Sequence, residues 1–325
     1  MLNYGVCARW ASNTKMESAE AQMIRANSLM VFLFLTAAVH GQAPPSPQQT
    51  KSPAGLDVAA IDRAIGKSGQ VMGDVYKISF PRSDLNVTVG DVKVKAGLAL
   101  GSWAAFKSNG AQAVVHGDLV LSDTELNAVI SALQQHNFDI TAVHNHLDGE
   151  SPRVMYVHYW AQGPAAMLAQ NLKDALGRSK TPIASPPPSA ASGSAPAEDL
   201  PADQIQQTIG LKGTVSNGVL ALSKARPETI QMMGVTLPPS MGMATAINFQ
   251  SAGGGRVAAT GDFVMIADEV NKVARVLRQH DIDITALHNH MLHGSPELYF
   301  MHFWAVGDPT KIAAGLKAAL SQMKQ

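Results

Sequence analysis

Two groups of histidines share a spacing that is typical of metal ligands. The chain has 325 residues and 11 histidines, and twice a His-x-His is followed by a third histidine twelve residues beyond the second. The first group is His144, His146 and His158, and the second is His288, His290 and His302. Because residues i and i+2 of a strand point to one face, each His-x-His presents two imidazoles together. The spacing predicts one three-histidine metal site in each group.

The strands that carry each group are predicted to pair as a hairpin. A hairpin symmetric about Ser151 places His144 opposite His158, and it places His146 opposite Tyr156. Opposed residues have Cβ atoms about 4.5–5.5 Å apart, so the three imidazoles share one face. Three imidazoles suit a divalent transition metal, with zinc favoured and copper or manganese as alternatives. The other interpretation is that the histidines are core residues hydrogen-bonded to the backbone.

The two histidine groups belong to an internal repeat. Residues 117–163 and 261–307 are identical at 22 of 47 positions without a gap. Weaker similarity upstream extends the copies to residues 57–180 and 201–325. Residues 181–200 between them are rich in Pro, Ala and Ser, a composition that is typical of an extended linker. The chain is therefore predicted to contain two tandem copies of one unit.

Periodicity within each copy predicts an α+β unit. Apolar residues of the segment 126–133 recur at helical spacing after Ser122 and Glu125, which form a predicted capping box. Residues 140–147 and 153–161 alternate as strands do, and a closing helix follows Pro164. Short strands, tight loops and few helices indicate a mostly antiparallel sheet with two or three packed helices in each copy.

An aspartate precedes each histidine group at the same distance. Asp118 and Asp262 stand in a repeated Gly-Asp and are the candidate catalytic bases, since a carboxylate near a metal-bound water can accept its proton. The alternative is that each aspartate only forms a turn.

Three aromatic residues and two arginines are candidates for substrate binding. Tyr156, Trp160 and Trp304 are predicted on the same strand face as the third histidine of each group, where they would line a cleft. Arg82 and Arg226 could clamp an anionic substrate, although an acid two residues after each of them favours a local salt bridge.

The first 41 residues resemble an export leader. A signal peptide is predicted over about 23–41, with Arg25 before an apolar run from Leu29 to Val39 that is too short to span a bilayer. The mature chain then begins near Gln42, with 42–56 as a flexible segment and no stable membrane span. We expect an exported protein, periplasmic or secreted.

Composition excludes several classes of protein. Lys plus Arg and Asp plus Glu number 25 each, so the chain lacks the basic surplus of a nucleic-acid-binding protein. The lone cysteine, Cys7, excludes an intrachain disulfide framework and a zinc site built on thiolates. It also lies before the apolar run, so no cysteine follows to accept a lipid.

The repeated TAxHNH, the Ser-Pro that follows it and the later HxWA resemble the LppY/LpqO family of exported bacterial proteins. The resemblance covers essentially the whole mature chain. It implies export and a duplicated domain, and it brings no activity, substrate or catalytic residues. The chain departs from the lipoproteins of that family because it lacks the lipid-acceptor cysteine.

Three functions follow from these patterns. The leading hypothesis is an exported metal-binding protein with a three-histidine site in each repeat, extended to a metal-dependent hydrolase acting on an unknown small-molecule or cell-envelope ligand. The second is a non-catalytic metal carrier or sequestering protein. The third is an envelope ligand-binding module whose histidines are structural.

Overall fold

A computed structural model describes residues 52–183 and 200–324. The predicted leader 1–41 lies outside the described residues, as do 42–51 and 184–199 of the two predicted flexible segments. Over the described ranges, no helix is both long and apolar enough to cross a membrane.

Each repeat builds one six-stranded sheet and the same set of helices. The first repeat consists of α1 (Val58–Ile65), β1 (Gln70–Met72), β2 (Val75–Pro81), β3 (Thr88–Val89), β4 (Val92–Lys93), α2 (Ala96–Ala99), β5 (Gly101–Asn109), β6 (Gln112–Ser122), α3 (Asp123–Gln135), β7 (Asp139–His144), β8 (Glu150–Ser151), β9 (Val154–Gly163) and α4 (Ala165–Leu176). The second consists of α5 (Ala202–Ile209), β10 (Gly213–Ser216), β11 (Val219–Ala225), β12 (Gln231–Met232), β13 (Val235–Thr236), a 3-10 helix (Pro239–Met241), β14 (Ala244–Gly253), β15 (Arg256–Met265), α6 (Ala267–Gln279), β16 (Asp283–His288), β17 (Gly294–Ser295), β18 (Tyr299–Gly307) and α7 (Pro309–Leu320).

The two large sheets have the same strand order. The first runs β1-β2-β5-β6-β9-β7 and the second runs β10-β11-β14-β15-β18-β16, with antiparallel pairing throughout. These sheets and their helices confirm the predicted α+β class with two copies of one unit.

One face of each sheet is apolar and packs against the helices of its own repeat. Phe106, Leu119 and Tyr159 lie on this face of the first sheet, in one cluster with Leu133 of α3 and Leu172 of α4. Burying a side chain of this size contributes about 1.5–3 kcal/mol, so this face stabilises the individual repeat. Residues at odd and even positions of a strand point to opposite faces, which leaves Asp118 and Val120 on the other side.

The long helix of each repeat begins at the predicted place. The backbone N–H of Ser122 donates to the Glu125 carboxylate over 2.9 Å, as the capping-box pattern predicts. In the second repeat Ile266 donates to Glu269 over 3.0 Å, but the isoleucine side chain has no oxygen to cap the helix in return. Only the glutamate half of the box is present there.

The second face of each sheet packs against the other repeat. We call residues 82–100 arm 1 and residues 226–243 arm 2. Arm 1 lies on the second sheet, where Leu98 packs with Trp304. Arm 2 lies on the first sheet, where Met232 packs with Trp160. Each repeat therefore covers part of the face that the other repeat leaves without helices.

The hairpin register differs from the predicted one by two residues. His144 lies opposite Tyr156, and His158 lies opposite Ala142. The shift arises because the connecting loop is not a simple turn: Ser151 of β8 pairs with Thr88 of arm 1. A shift of two residues preserves the face to which a side chain points, so the histidines still lie together.

Candidate metal centre

The six histidines of the two His-x-His groups and their third members lie in one cluster where the two repeats meet. Their rings stack in three pairs that each join one repeat to the other, with ring centroids 3.6 Å apart for His144–His288, 3.7 Å for His146–His302 and 3.7 Å for His158–His290. Exchanging the repeats maps the first pair onto itself and exchanges the other two pairs. We call these six residues the histidine cluster. The two groups, which the sequence predicts as one three-histidine site in each repeat, therefore face one another.

Sheet register positions the deepest members of the cluster. His158 on β9 lies opposite Asp118 on β6, and His302 on β18 lies opposite Asp262 on β15. His144 is the last residue of β7. Strand pairing thus fixes one histidine and one aspartate of each repeat side by side.

Hydrogen bonds between the repeats hold the loop that follows β7. The Thr285 hydroxyl donates to the backbone carbonyl of His146 over 2.6 Å, and the Asn145 amide donates to the carbonyl of Thr285 over 3.1 Å. The middle residue of His-Asn-His therefore joins the repeats, while its neighbours point into the cluster.

The potential ligand atoms fall into two overlapping sets. One nitrogen from each of His144, His146 and His158 lies within 4.8 Å of the others. The same limit holds for a second set, which consists of His144, His288, His290 and His302. His144 belongs to both sets, so the cluster accommodates two three-histidine sites that adjoin one another.

Each predicted catalytic aspartate lies beside the histidines of its own repeat. Asp118 Oδ2 is 3.8 Å from both His146 Nε2 and His158 Nε2. Asp262 Oδ2 is 3.7 Å from His290 Nε2. These distances exceed a normal hydrogen bond but suit groups arranged around a common ligand.

Many polar atoms of the site are buried without a hydrogen-bond partner. Over the part of the chain that the structure describes, they include seven ring nitrogens of the histidine cluster and Oδ1 of both aspartates. A buried donor or acceptor left unpaired costs about 1–3 kcal/mol. Their concentration around one point indicates a site that needs a ligand to become stable.

Burial keeps the imidazoles neutral. It lowers the pKa of His144 to about 4 and that of His288 to about 3. Burial lowers the pKa of the other four cluster histidines well below the usual value, and neighbouring histidines lower it further. Neutral imidazole offers a free lone pair, which is the form that binds a metal.

Backbone contacts orient two of the rings. The carbonyl of Gly261 accepts from His302 Nδ1 over 2.9 Å, and that of Asn145 accepts from His144 Nδ1 over 3.2 Å. In each case the contact leaves Nε2 without a partner. Metal-binding histidines commonly use one nitrogen for such an anchor and the other for the ion.

Burial also acts on the aspartates. It raises the pKa of Asp118 and of Asp262 well above the usual range, and in Asp262 the charge of Asp118 adds to the effect. A cation bound between Asp118 and Asp262 would lower both pKa values, because it would stabilise the charged carboxylates.

A cavity of about 390 Å³ adjoins the cluster. Its wall contains both aspartates and four cluster histidines: Asp118, Asp262, His146, His158, His290 and His302. Residues of both repeats thus line an open cavity large enough for a small molecule.

The predicted aromatic cleft is wrong. Trp160 and Trp304 are 3% and 9% exposed and pack beneath the arms rather than along the cavity. Tyr156 is also buried: its ring stacks on His146 at 3.4 Å, and its hydroxyl donates to the carbonyl of Ala99 over 2.9 Å. The two tryptophans hold the repeats together, and Tyr156 supports a histidine.

The arginines do not reach the cavity, so their predicted role as substrate clamps is wrong. Arg82 is fully buried and donates to Asp84, to Glu125 and to the carbonyl of Val120. Arg226 makes the equivalent contacts with Glu228, Glu269 and Val264. The local salt bridge is the correct alternative, extended by a glutamate from the long helix.

Three residues near the cavity were missed by sequence reasoning. Lys77 and Trp103 line it, and His116 stacks near His158 with ring centroids 5.7 Å apart. Only His116 carried a usable signal, since it stands two residues before Asp118 on one strand face.

Comparison with solved structures gives only weak likenesses. A trimeric bacterial microcompartment shell protein, PduB, is 11% identical with a TM-score of 0.20 and covers 79% of this chain and 89% of its own. EtuB from Clostridium kluyveri is 10% identical with a TM-score of 0.18 and covers 78% and 88%. Scores this low establish no shared fold.

Comparison with curated proteins found no match. A family model matches the chain twice, over residues 59–178 and 203–322, and so confirms the internal repeat. Because the two matches together span most of the chain, the protein belongs to the family described as Domain of Unknown Function (DUF1259).

Proposed function

We propose that this protein is an exported metal-binding protein whose two repeats together hold divalent transition-metal ions. The observation that carries the proposal is the set of seven unpartnered, buried ring nitrogens in the histidine cluster. Export rests on the predicted signal peptide over about 23–41 and on the resemblance to the LppY/LpqO family.

Histidines that only support a protein core would have hydrogen-bond partners for their ring nitrogens. A structural histidine normally uses its nitrogens in hydrogen bonds, as buried polar groups do. Here both nitrogens of His158 lack a partner, and the nearest neighbours of most rings are other imidazoles. His288 Nε2 and His290 Nε2 contact each other at 2.9 Å, but stacking leaves the seven unpartnered nitrogens unused, and a bound cation would satisfy several of them at once.

The donor set supports two ions in one shared centre. One ion takes His144, His146 and His158, and the other takes His288, His290 and His302. Zinc is the favoured ion because imidazole nitrogens bind it at about 2.0–2.1 Å with open coordination positions, although copper also suits nitrogen ligands. Manganese fits an all-nitrogen set less well, since it prefers oxygen ligands.

The cavity supports a further step, a metal-dependent hydrolase. A purely structural metal site has no open coordination position, whereas four cluster histidines and both aspartates here line a cavity that opens to solvent. A bound metal ion would lower the pKa of a water ligand, and Asp118 or Asp262, which line the cavity, would accept the proton of that water.

Elemental analysis tests the metal proposal. Purified residues 42–325, reconstituted with zinc and dialysed, should retain about two equivalents per chain, and the variant His144→Ala/His146→Ala/His288→Ala/His290→Ala should retain almost none. The matched control is His136→Ala/His280→Ala, because this repeated pair ends α3 and α6 outside the cluster. If wild type binds no more metal than the variant with four histidines replaced, the proposal is wrong.

A second measurement separates enzyme from carrier. The variant Asp118→Asn/Asp262→Asn should keep most of its zinc and lose hydrolysis of nitrophenyl esters or phosphates that wild type cleaves. A wild-type protein that binds zinc but cleaves none of these substrates, and releases the ion readily to a chelator, would favour the carrier.

A further inference from the structure

The two repeats contribute unequally to the wall of the cavity. Asp118 lies opposite Trp103, whereas Asp262 lies opposite Ala246. In the next strand outward, Lys77 in the first repeat corresponds by register to Ala221 in the second. A cation and a large aromatic ring therefore stand on one side of the cavity. The second repeat has alanine at both corresponding positions, and its side of the cavity is lined by smaller residues that include Ala246, Ser223 and Asn248.

Lys77 is held in a defined position at this wall. Its Nζ donates to the backbone carbonyl of Ser240 in arm 2 over 3.1 Å and lies 4.0 Å from the centre of the Trp103 ring. An ammonium has three donors, and the carbonyl uses one. Within the described residues no carboxylate lies within ion-pair distance of Lys77. Burial lowers the pKa of Lys77 to about 8 and the charge of Asp118 opposes this shift, so the ammonium form prevails at pH 7. A ligand at this wall would therefore meet a cation that Asp118 balances in part.

Arm 2 fixes the tryptophan that supports this lysine. Gly242 has a φ of +84°, and a Cβ there would lie 3.0 Å from the Trp103 ring. Glycine thus meets both a backbone conformation and a close approach that other residues would strain. The Trp103 indole therefore packs against Gly242 of arm 2, and the Lys77 ammonium lies over the indole ring.

We propose that the cavity binds a small oxyanion, a carboxylate or phosphate group, between Lys77 and the metal ions. The inference rests on the proposed metal centre, which supplies the second contact. Two divalent ions exceed the charge of the two aspartates beside them, and Lys77 adds to the excess, so the loaded cavity is cationic. Its volume of about 390 Å³ limits the ligand to a small molecule. Because Lys77 and Trp103 stand on one side of the cavity, the ligand would bind in a single orientation.

Calorimetric titration of the zinc-loaded full mature chain with acetate and with inorganic phosphate tests this proposal. In Lys77→Met, affinity for the preferred anion should fall at least tenfold while the zinc content stays that of wild type. The control is Lys107→Met, since Lys107 lies on the same sheet face but outside the cavity wall. Lys77→Arg keeps the charge and should retain most of the affinity. Thermal melting checks that each variant is folded.

The outcomes distinguish the anion site from the metal centre. Equal anion affinity in folded Lys77→Met and wild type, both loaded with zinc, would overturn the anion site and leave the metal centre intact. If wild type takes up no metal, the proposed function fails. Lys77-dependent anion binding to such metal-free protein would still support an anion site, and its absence would overturn both.

Discussion

The two repeats agree at the histidine cluster and differ at the cavity wall. Each repeat supplies three histidines and one aspartate in the same positions, but only the first adds Lys77 and Trp103, where the second has Ala221 and Ala246. The shared part supplies the proposed metal ligands, and the unequal part supplies the residues of the proposed anion site. The proposed function therefore combines a symmetric metal centre with a one-sided binding site.

The contacts between the repeats also indicate that one repeat alone cannot form the histidine cluster. Every close ring contact across the centre joins His144, His146 or His158 to a histidine of the other repeat. The arms reinforce this mutual dependence, since each covers the sheet of the other repeat. A single copy would expose its histidine face and lose its cover.

The largest effect should follow from breaking the pair at the centre of the symmetry. His144→Ala/His288→Ala removes one nitrogen from each three-histidine set, so we expect zinc affinity to fall by more than about 100-fold. Competition with a chromophoric chelator measures the change. The double variant His136→Ala/His280→Ala, which alters an equally repeated pair, should match wild type. A fall of less than tenfold at the central pair would contradict the shared centre.

Acid should destabilise the metal-free protein strongly. Burial lowers the pKa of His144 to about 4 and of His288 to about 3, so below about pH 6.5 the unfolded chain binds protons that the folded chain does not. The free energy of unfolding should therefore fall as pH drops from about 6.5 towards 4, by roughly 1.4 kcal/mol per unit of pKa shift for each histidine. Urea titrations at several pH values measure this.

Zinc provides the comparison for this second prediction. Saturating zinc should delay the loss of stability to lower pH because bound imidazoles resist protonation. A metal-free protein whose stability is constant between pH 6.5 and 4 would show that the histidines are hydrated and exposed.

The buried arginines should behave alike in the two repeats. Arg82→Met and Arg226→Met each leave a buried glutamate without its partner, which costs about 3–5 kcal/mol. Urea unfolding of zinc-loaded protein measures the loss. The two values should agree because the contacts are equivalent and lie away from the unequal cavity wall. A loss below about 1 kcal/mol in either variant would contradict the importance of the ion pair.

The smallest effect should come from the aspartates. Asp118→Asn and Asp262→Asn should each weaken zinc binding about tenfold, since both carboxylates lie beside cluster histidines without being the main donors. Chelator competition compares the two. A large effect in only one repeat would show that the symmetry of the metal centre is incomplete.

Local patterns in the sequence predicted the repeat, the α+β class and the grouping of three histidines in each repeat because these depend on spacing along the chain. The hairpin register could not be predicted, since the loop containing Ser151 pairs with Thr88 in arm 1, far away in sequence. The contacts of the arginines could not be predicted for the same reason, since Glu125 lies 43 residues after Arg82 and no local pattern links the two.

How the two histidine groups meet, and which residues cover the tryptophans, depends on how the two repeats pack against each other. Trp160 does share a strand face with His158, as predicted, but Met232 of arm 2 covers it. Lys77 and Trp103 occur in the first copy only and belong to no motif of the sequence. Features that differ between the copies carry no repeat signal, although they shape the cavity.

Anomalous X-ray diffraction from crystals of the zinc-loaded protein, measured at the zinc absorption edge, tests the shared metal centre most directly. We predict two adjacent anomalous peaks between the repeats, one near His158 and the other near His302, with His144 and His288 between them. Separate peaks far apart, each surrounded by residues of one repeat, or no peak within the histidine cluster, would contradict it.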